Sequence, residues 1–296
     1  MPKNFFLDAP VNFSFRHTIR SHGWCELLPF ETDETNWRLN YVFTDVNLTA
    51  PVAGEISESE GKIKIEIAGG KTNRKAEEKI LRDVRRILRL DDDLSEFYKF
   101  TKTEKRLAWI HKTNAGRLLR SPTVFEDLVK TICTTNCSWA MTKKMTANLV
   151  GKLGEATSGG KRAFPTAEKM ASVSAEFYLD EVRAGYRSAY FAELAEKVAS
   201  GKINPESWLV SDLPTKDLKK EMKCIKGVGD YAAENLLKLV GRYDGLALDS
   251  WLRSQFYKKH NDEQICADKQ IEKHYERFGD WRGLAIWCDM TERWFD

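Results

Sequence analysis

The chain has 296 residues, of which 42% are hydrophobic and 31% are charged, and its formal net charge is +3 at pH 7. These values fit a soluble globular protein that is long enough for two or three domains. A charge this small does not require an anionic partner, so any surface for nucleic acid has to come from local clustering of basic residues.

The sequence argues against a secreted or membrane-spanning protein. The N-terminal stretch MPKNFFLDAP lacks the long apolar segment of a secretory signal, and no apolar run approaches the length of a membrane span. We therefore expect an intracellular protein, in the cytoplasm and nucleoid of a bacterium or in a eukaryotic nucleus. The cysteines form no Cys-x-x-Cys pair, which leaves no zinc framework and favours free thiols in a reducing compartment: Cys25, Cys133, Cys137, Cys224, Cys266 and Cys288.

The first 70 residues predict a small antiparallel β-sheet with one face in water. The run WRLNYVFT at residues 37–44 is rich in β-branched and aromatic residues, as strands are. The run KIKIEI at residues 62–67 alternates strictly, with isoleucine on one face and charge on the other.

From residue 75 onwards the hydrophobic period becomes helical. Between Phe125 and Cys133 the apolar residues recur at i, i+3, i+4, i+7 and i+8, which predicts an amphipathic helix that begins at Ser121-Pro122 or at Thr123. The fold class is therefore α+β. We predict a domain of sheet plus helix over residues 1–100 and a mostly helical region over residues 101–296.

Two helices, near residues 215–225 and 230–240, flank the turn Gly227-Val228-Gly229. A dinucleotide fingerprint requires a strand before the glycines and a third glycine, and both are missing. Two interpretations stay open: a plain helix turn, or a helix-hairpin-helix that grips a phosphate. In the second, the phosphate would contact the N–H groups at the start of the second helix, those of Gly227, Gly229 and Tyr231.

Asp249 is a single carboxylate in the apolar run LALDSWL. It is a suitable N-cap for a following helix, because aspartate is a preferred residue at that position. An ionised carboxylate beside an apolar pocket also stabilises a developing cation or orients a water molecule. The two roles are compatible.

The segment GVGDYAAENLL, which begins at Gly227, and the LALDSWLR that follows it resemble the helix-hairpin-helix and Gly/Pro…Asp motif of the DNA glycosylase superfamily. Residues 117–154 and 281–294 resemble further helices of 3-methyladenine DNA glycosylase II and 8-oxoguanine DNA glycosylase. Residues 21–30 resemble the N-terminal sheet of the alkylation-repair members. The resemblance implies an HhH-GPD fold with the active-site cleft between two helical subdomains and the hairpin at about 215–240.

The resemblance also implies a mechanism. A monomer would bind duplex DNA that carries a damaged base, flip that nucleotide out of the stack, and cut the bond between base and sugar. Asp249 matches the family's essential aspartate, which stabilises the oxocarbenium-like sugar. Tyr231 stands where the strand-cleaving members have a nucleophilic lysine, so we expect a monofunctional enzyme that uses water and leaves an abasic site.

Further positions match by the same resemblance. Asn136 falls at the wedge that fills the gap in the DNA, and Tyr186 and Arg187 match residues at the opposite base in the 8-oxoguanine branch. Trp287 and Asn235 match the walls of the base pocket, together with Tyr231. An electron-rich indole stacks well on an electron-poor base, which favours alkylated purines. Loop capping by Asn136, core packing by Trp287 and solvation of Asn235 remain alternatives.

The cofactor expectations also follow from the family. Main-chain carbonyls of Lys223, Ile225 and Val228 match those that hold a monovalent cation, and no other cofactor is expected. Only Cys266 and Cys288 follow Asp249, so we expect no iron–sulfur cluster. Two alternative functions stay open: an 8-oxoguanine-type glycosylase, and a non-catalytic damage sensor that keeps only the hairpin.

Overall fold

The computed structural model of the protein describes residues 2–68 and 72–295. Its N-terminal part is a five-stranded antiparallel sheet with the strand order β1-β5-β4-β3-β2. The strands are β1 Lys3–Asp8, β2 Glu31–Asp33, β3 Arg38–Phe43, β4 Val52–Ser59 and β5 Lys62–Ala68.

The rest of the described chain is mainly helical. The α-helices are α1 Phe15–Ile19, α2 Arg74–Ile87, α3 Ser95–Thr103, α4 Ala108–Thr113, α5 Val124–Thr134, α6 Trp139–Leu153, α7 Ala167–Ala171, α8 Ala175–Phe177, α9 Ser188–Ala199, α10 Thr215–Lys223, α11 Asp230–Leu239, α12 Ser250–His260, α13 Asp268–Tyr275 and α14 Arg282–Thr291. Short 3₁₀ turns lie at Gly23–Glu26, Gly185–Arg187, Pro205–Val210, Glu276–Trp281 and Glu292–Phe295, and a π-helical turn lies at Tyr178–Val182.

The predicted α+β class is confirmed, and the alternation in β5 sets the buried face of the sheet. Ile63, Ile65 and Ile67 are buried while the charged residues between them are not. Ile65 is paired with Ile56 of β4, so apolar side chains meet across the strands. Helix α2 packs its own apolar stripe into the same core.

The sequence allows α5 to begin at Ser121-Pro122 or at Thr123, and in the structure Thr123 is its N-cap. The Thr123 hydroxyl accepts a hydrogen bond from the Glu126 N–H at 3.2 Å, as an N-cap does. Helix α5 is buried on almost every side, because it lies between the sheet and the other helices.

Three hydrophobic cores organise the described residues of the chain. One lies under the sheet and α2, a second joins α5–α7 and α9–α11, and a third joins α3 and α4 with α12–α14. The predicted domain boundary at residue 100 falls inside α3, which packs in the third core.

Buried polar contacts attach the sheet to α5. Trp24 Nε1 donates to Asp127 Oδ1 at 2.8 Å, and the Tyr41 hydroxyl donates to Glu126 Oε2 at 2.6 Å. Glu126 also pairs with the fully buried Lys130 at 2.6 Å. Buried polar groups are costly unless they are paired, so these bonds fix the sheet against α5 in one arrangement.

Two other observations bear on the sequence predictions. The six cysteines are free thiols. Within residues 2–68 and 72–295, none of the helices combines the length and the apolar character that crossing a bilayer requires.

The turn between α10 and α11 depends on Gly227. Its φ angle is +88°, in the left-handed region that glycine adopts most readily. A Cβ atom at this position would lie 2.9 Å from Cδ2 of Tyr190. Gly229 differs, because its φ is −87° and a Cβ there would meet nothing within 4 Å.

We therefore predict that Gly227→Ala lowers the free energy of unfolding by about 1–3 kcal/mol, through backbone strain and crowding against Tyr190. Urea-induced unfolding monitored by tryptophan fluorescence measures the change. Gly229→Ala is the matched control and is expected to lose only about 0.5 kcal/mol, because Gly229 is the N-cap of α11 and alanine caps a helix less well than glycine. Equal effects of the two substitutions would contradict this account of the turn.

Candidate active site

A cavity of about 880 Å³ lies where the three cores meet. Four residues that the sequence nominated line this cavity: Asp249, Tyr231, Asn235 and Trp287. They come from α11, from the start of α12 and from α14, so the fold brings together positions up to 56 residues apart in the chain.

Asp249 is the N-cap of α12. Its Oδ1 accepts a hydrogen bond from the Leu252 N–H at 2.7 Å, and its backbone is extended. Oδ2 has no hydrogen-bond partner among the described residues. One oxygen therefore orients the carboxylate on the helix, and the other is available to the cavity, so capping and chemistry are compatible.

Tyr231 is the second residue of α11 and lies close enough to Asp249 to feel its charge. Burial, and next the negative charge of Asp249, raise the pKa of the Tyr231 phenol, so it stays protonated. Asn235 follows one turn later, and its Nδ2 donates to the Tyr231 carbonyl at 3.0 Å. The side chain of Asn235 is thus partly used within the helix.

The walls of the cavity are unusually rich in tryptophan. Trp287 is held by a hydrogen bond from its Nε1 to the Ser21 carbonyl at 2.8 Å. Its ring centroid lies 5.9 Å from that of Trp251 and 5.7 Å from that of Trp294. Trp287 therefore has a packing role and also presents an aromatic surface to the cavity.

The cavity is also lined by residues that the sequence did not nominate. Two of them, His22 and Trp24, lie at the 3₁₀ turn Gly23–Glu26, and a third, Trp139, lies on α6. A Cβ on Gly23 would overlap the indole of Trp139, so only glycine allows this close approach. Each lies more than 70 residues before the hairpin, which explains why no local pattern pointed to them.

His22 is uncharged in this wall. Burial lowers its pKa to about 4, and its Nε2 donates to the Leu119 carbonyl. The ring lies 4.8 Å from Trp24 and 6.4 Å, edge-on, from Trp287. Because Nε2 carries the proton, Nδ1 is an acceptor.

Lys238 is a further cavity residue that the sequence did not nominate. It lines the cavity although its side chain is buried, and its Nζ donates to the Leu246 carbonyl at 3.0 Å. Burial lowers its pKa to about 8. A signal was present: Tyr231, Asn235 and Lys238 are spaced i, i+4, i+7 and form a polar stripe on α11.

The residues predicted at the DNA gap do not line the cavity themselves, although Thr134 and Cys137 at the α5–α6 loop do. Asn136 is exposed on the α5–α6 loop with a φ of +47°, and Tyr186 is 54% exposed. Arg187 is only 5% exposed, and its guanidinium donates to the Ile132 carbonyl at 3.1 Å and to the Thr135 carbonyl. Arg187 thus supports the loop that presents Asn136, and contact with a base requires it to exchange those bonds.

The hairpin turn presents its backbone at the surface. The N–H groups of Gly227 and Gly229 donate to no acceptor in the part of the chain that the structure describes. Asp230, which follows them, is held by Lys223, whose Nζ lies 3.0 Å from both carboxylate oxygens. This pairing offsets a negative charge that would oppose a phosphate.

The predicted cation site is compatible with this turn. Carbonyl oxygens suit hard monovalent cations, and Lys223, Ile225 and Val228 follow one another closely around the turn. The Ile225 carbonyl already accepts the Val228 N–H at 3.0 Å, which leaves it a second lone pair.

Solved structures with this fold include DNA-repair enzymes of two kinds. The chain superposes on a 3-methyladenine DNA glycosylase from Archaeoglobus fulgidus with a TM-score of 0.77 and 18% identity, over 99% of each chain. It superposes on an 8-oxoguanine glycosylase/lyase from Clostridium acetobutylicum, bound to DNA with cytosine opposite 8-oxoguanine, with a TM-score of 0.72 and 18% identity. That match covers 100% of this chain and 98% of the other. The fold is thus that of the DNA glycosylases.

The family is established by sequence. The family model described as HhH-GPD superfamily base excision DNA repair protein matches residues 129–284, which is more than half of the chain. The protein belongs to this superfamily.

An N-glycosylase/DNA lyase of Saccharomyces cerevisiae is 26% identical over 195 residues, which cover 61% of this chain and 51% of the relative. The chain spans about half the length of the curated relatives it matches.

Proposed function

We propose that the protein is a monofunctional DNA N-glycosylase of base excision repair. It flips a damaged purine out of duplex DNA, hydrolyses the bond between base and sugar, and leaves an abasic site. The observation that carries the proposal is the position of Asp249, a carboxylate with one free oxygen in the wall of a tryptophan-lined cavity. The cavity volume of about 880 Å³ lies within the range of small-molecule sites.

The surface around the cavity supports binding of duplex DNA. The target bond is unreachable inside the duplex, so the nucleotide has to rotate into the cavity. The exposed N–H groups of Gly227 and Gly229 suit a phosphate, and a contact of that kind holds the backbone without reading sequence. Asn136 and Tyr186 occupy the gap that the nucleotide leaves, and Arg187 supports them from below.

Asp249 performs the central step. As the bond to the base lengthens, positive charge develops on the sugar, and a fixed carboxylate stabilises that charge more in the transition state than in the ground state. The same carboxylate orients the water molecule that attacks C1′ and takes up its proton. The cap bond to Leu252 holds the group in place without reorganisation.

Tyr231 determines the second half of the chemistry. A lyase requires an amine at the sugar, and the residue next to Asp249 on α11 is a protonated phenol instead. Water is therefore the nucleophile, and the DNA strand is left intact. This assignment distinguishes the protein from relatives whose names include lyase.

The aromatic walls support purine lesions, with N-alkylated purines as the first candidates. An electron-poor or cationic base gains from stacking on indole faces such as Trp287 and Trp251. 8-oxoguanine is the second candidate, supported by the fold shared with the Clostridium acetobutylicum enzyme and by Asn136, Tyr186 and Arg187. A non-catalytic damage sensor is less well supported, because it has no use for Asp249.

We predict that Asp249→Asn lowers base release by about 10²–10⁴-fold while DNA binding is retained. Asparagine caps a helix as well as aspartate does, so α12 and the fold persist. Release of 3-methyladenine, 7-methylguanine, hypoxanthine and 8-oxoguanine from duplexes, against each opposite base, measures the activity. Asp268→Asn is the matched control, since Asp268 is exposed and pairs with Arg253 outside the cavity.

Each outcome of that experiment has a meaning. Unchanged turnover in Asp249→Asn contradicts the assigned role of the carboxylate. A wild-type preference for 8-oxoguanine opposite cytosine selects the second candidate. No release of any base by the wild type favours the damage sensor.

We predict that borohydride traps no covalent adduct between the wild-type protein and damaged duplex DNA, because no amine lies at position 231. Tyr231→Lys places an amine beside Asp249 and is expected to give a trapped adduct, which provides the positive control. Tyr231→Phe is expected to release base without any adduct. Electrophoresis of the borohydride-treated mixtures detects the adduct, and a strong wild-type band is incompatible with a water-only reaction.

We also propose that a monovalent cation, K⁺ or Na⁺, sits on the carbonyls of Lys223, Ile225 and Val228 and stiffens the turn. Replacing KCl by tetramethylammonium chloride at equal ionic strength should then weaken DNA binding by about tenfold, or about 1.4 kcal/mol. Gly227→Ala, which distorts the turn, should lose this dependence. Equal affinity of the wild type in both salts excludes the cation.

A further inference from the structure

The side chain of Lys238 has more hydrogen-bonding capacity than the fold uses. An ammonium group carries three donors, and among the described residues Leu246 provides its one acceptor, at 3.0 Å. The Nζ lies 6.0 Å from the ring centroid of Trp287, in the wall of the cavity. Donors are therefore left for a molecule that enters the cavity.

An ion pair does not explain this lysine. The nearest acid on its own helix, Glu234, is occupied: its Oε1 lies 2.6 Å from Lys219 Nζ and its Oε2 accepts the Ala247 N–H at 2.5 Å. Asp249 lies close enough to interact through its charge, but one of its oxygens holds the cap of α12. A buried cation without a direct partner is costly, which points to a use beyond stability.

The charges around Lys238 come from every element packed against it. The groups are Glu234 on α11, Asp249 at the start of α12, the Cys288 thiol on α14, the His22 imidazole at the 3₁₀ turn Gly23–Glu26, and the Arg89 guanidinium, which donates to the Lys238 carbonyl. His22 is neutral, and burial raises the pKa of Cys288 to about 12, so neither adds charge near neutral pH. Burial, partly offset by Glu234 and Asp249, lowers the pKa of Lys238 to about 8.

We propose that Lys238 is a general acid for the departing base and extends excision to neutral purines. As the bond between C1′ and N9 breaks, its electron pair goes to the purine, and Nζ gives a proton to a ring nitrogen or carbonyl oxygen of that base. Water adds to C1′ and loses its proton to Asp249; Asp249 then releases that proton to solvent, and solvent returns one proton to Lys238. This inference rests on the proposed N-glycosylase activity and names its substrate class.

The need for a general acid depends on the charge of the base in the nucleotide. A purine alkylated at N3 or N7 is already cationic in the nucleotide and departs as a neutral molecule, so it needs no acid. A neutral purine such as hypoxanthine or 8-oxoguanine departs as an anion unless a proton reaches it. The ammonium of Lys238 assists the second class and, by repulsion, disfavours the first.

The test compares two lesions in one duplex sequence, hypoxanthine and 7-methylguanine, in single-turnover reactions with saturating protein. Lys238→Met is expected to slow hypoxanthine release by about 100-fold. The same variant should release 7-methylguanine within about twofold of the wild type or faster, which also shows that it folds. Lys143→Met, which removes a charge outside the cavity, should affect both lesions alike.

The pH profile provides a readout that a structural role does not give. Wild-type release of hypoxanthine should fall as pH rises through about 8, where Lys238 loses its proton, while release of 7-methylguanine should not. Lys238→Gln keeps a neutral donor but has no proton to give, so this decline should be absent from its profile.

Three results overturn the inference. Equal loss for both lesions in Lys238→Met, or no loss for either, leaves the N-glycosylase but removes the acid. A wild-type adduct trapped by borohydride and absent in Lys238→Met makes the residue a nucleophile instead. No release of hypoxanthine by a wild type that releases 7-methylguanine or 3-methyladenine also removes the acid, whereas no release of any of the four lesions contradicts the proposed function itself.

Discussion

The site depends on how the C-terminal end of α11 is held. The buried guanidinium of Arg89 donates through Nη1 to the Lys238 carbonyl at 3.0 Å and to the Leu239 carbonyl at 3.4 Å, while Nε pairs with Asp92 at 2.6 Å. These carbonyls are at the negative end of the helix, and the Lys238 carbonyl also accepts the Gly241 N–H at 3.2 Å. The Arg89 cation, which follows α2, thus holds α11 in place where the cores meet. The polar stripe on α11 then faces the cavity.

Helix α11 has an apolar face that packs in the hydrophobic cores and a polar face that lines the cavity. Leu236 and Leu237 pack in the core that joins α5–α7 and α9–α11, and Leu239 reaches the core beneath the sheet. The stripe of Tyr231, Asn235 and Lys238 is left between them and lines the cavity. Placing a cation there costs several kcal/mol in desolvation. Packing on the other face offsets this cost, as is common where a fold gives up local stability for a site.

The sequence predicted the parts of this structure that repeat or that sit on a local motif. The alternation of Ile63, Ile65 and Ile67 predicted a strand, and the glycines at 227 and 229 predicted the turn between α10 and α11. His22 could not be predicted in the same way, because it reaches the cavity only through the docking of the sheet on α5. The burial of the Arg187 side chain could not be predicted either, because its hydrogen-bond acceptors are carbonyls at the end of another helix. Local pattern carries secondary structure, whereas these contacts are set by tertiary packing.

The position of an amine along α11 decides which side of the glycosidic bond it can serve. Seven residues of α-helix advance by about 10.5 Å and nearly two turns, so position 238 lies on the same face as position 231 but deeper in the cavity. An amine at 231 stands beside Asp249, where the sugar is expected. An amine at 238 stands beside Trp287, where the base is expected. With a phenol at the first position and a lysine at the second, the protein retains an amine in its cavity but directs it at the leaving group. A phenol at position 231 therefore removes the nucleophilic amine from the sugar side of the cavity but leaves an acid on the base side.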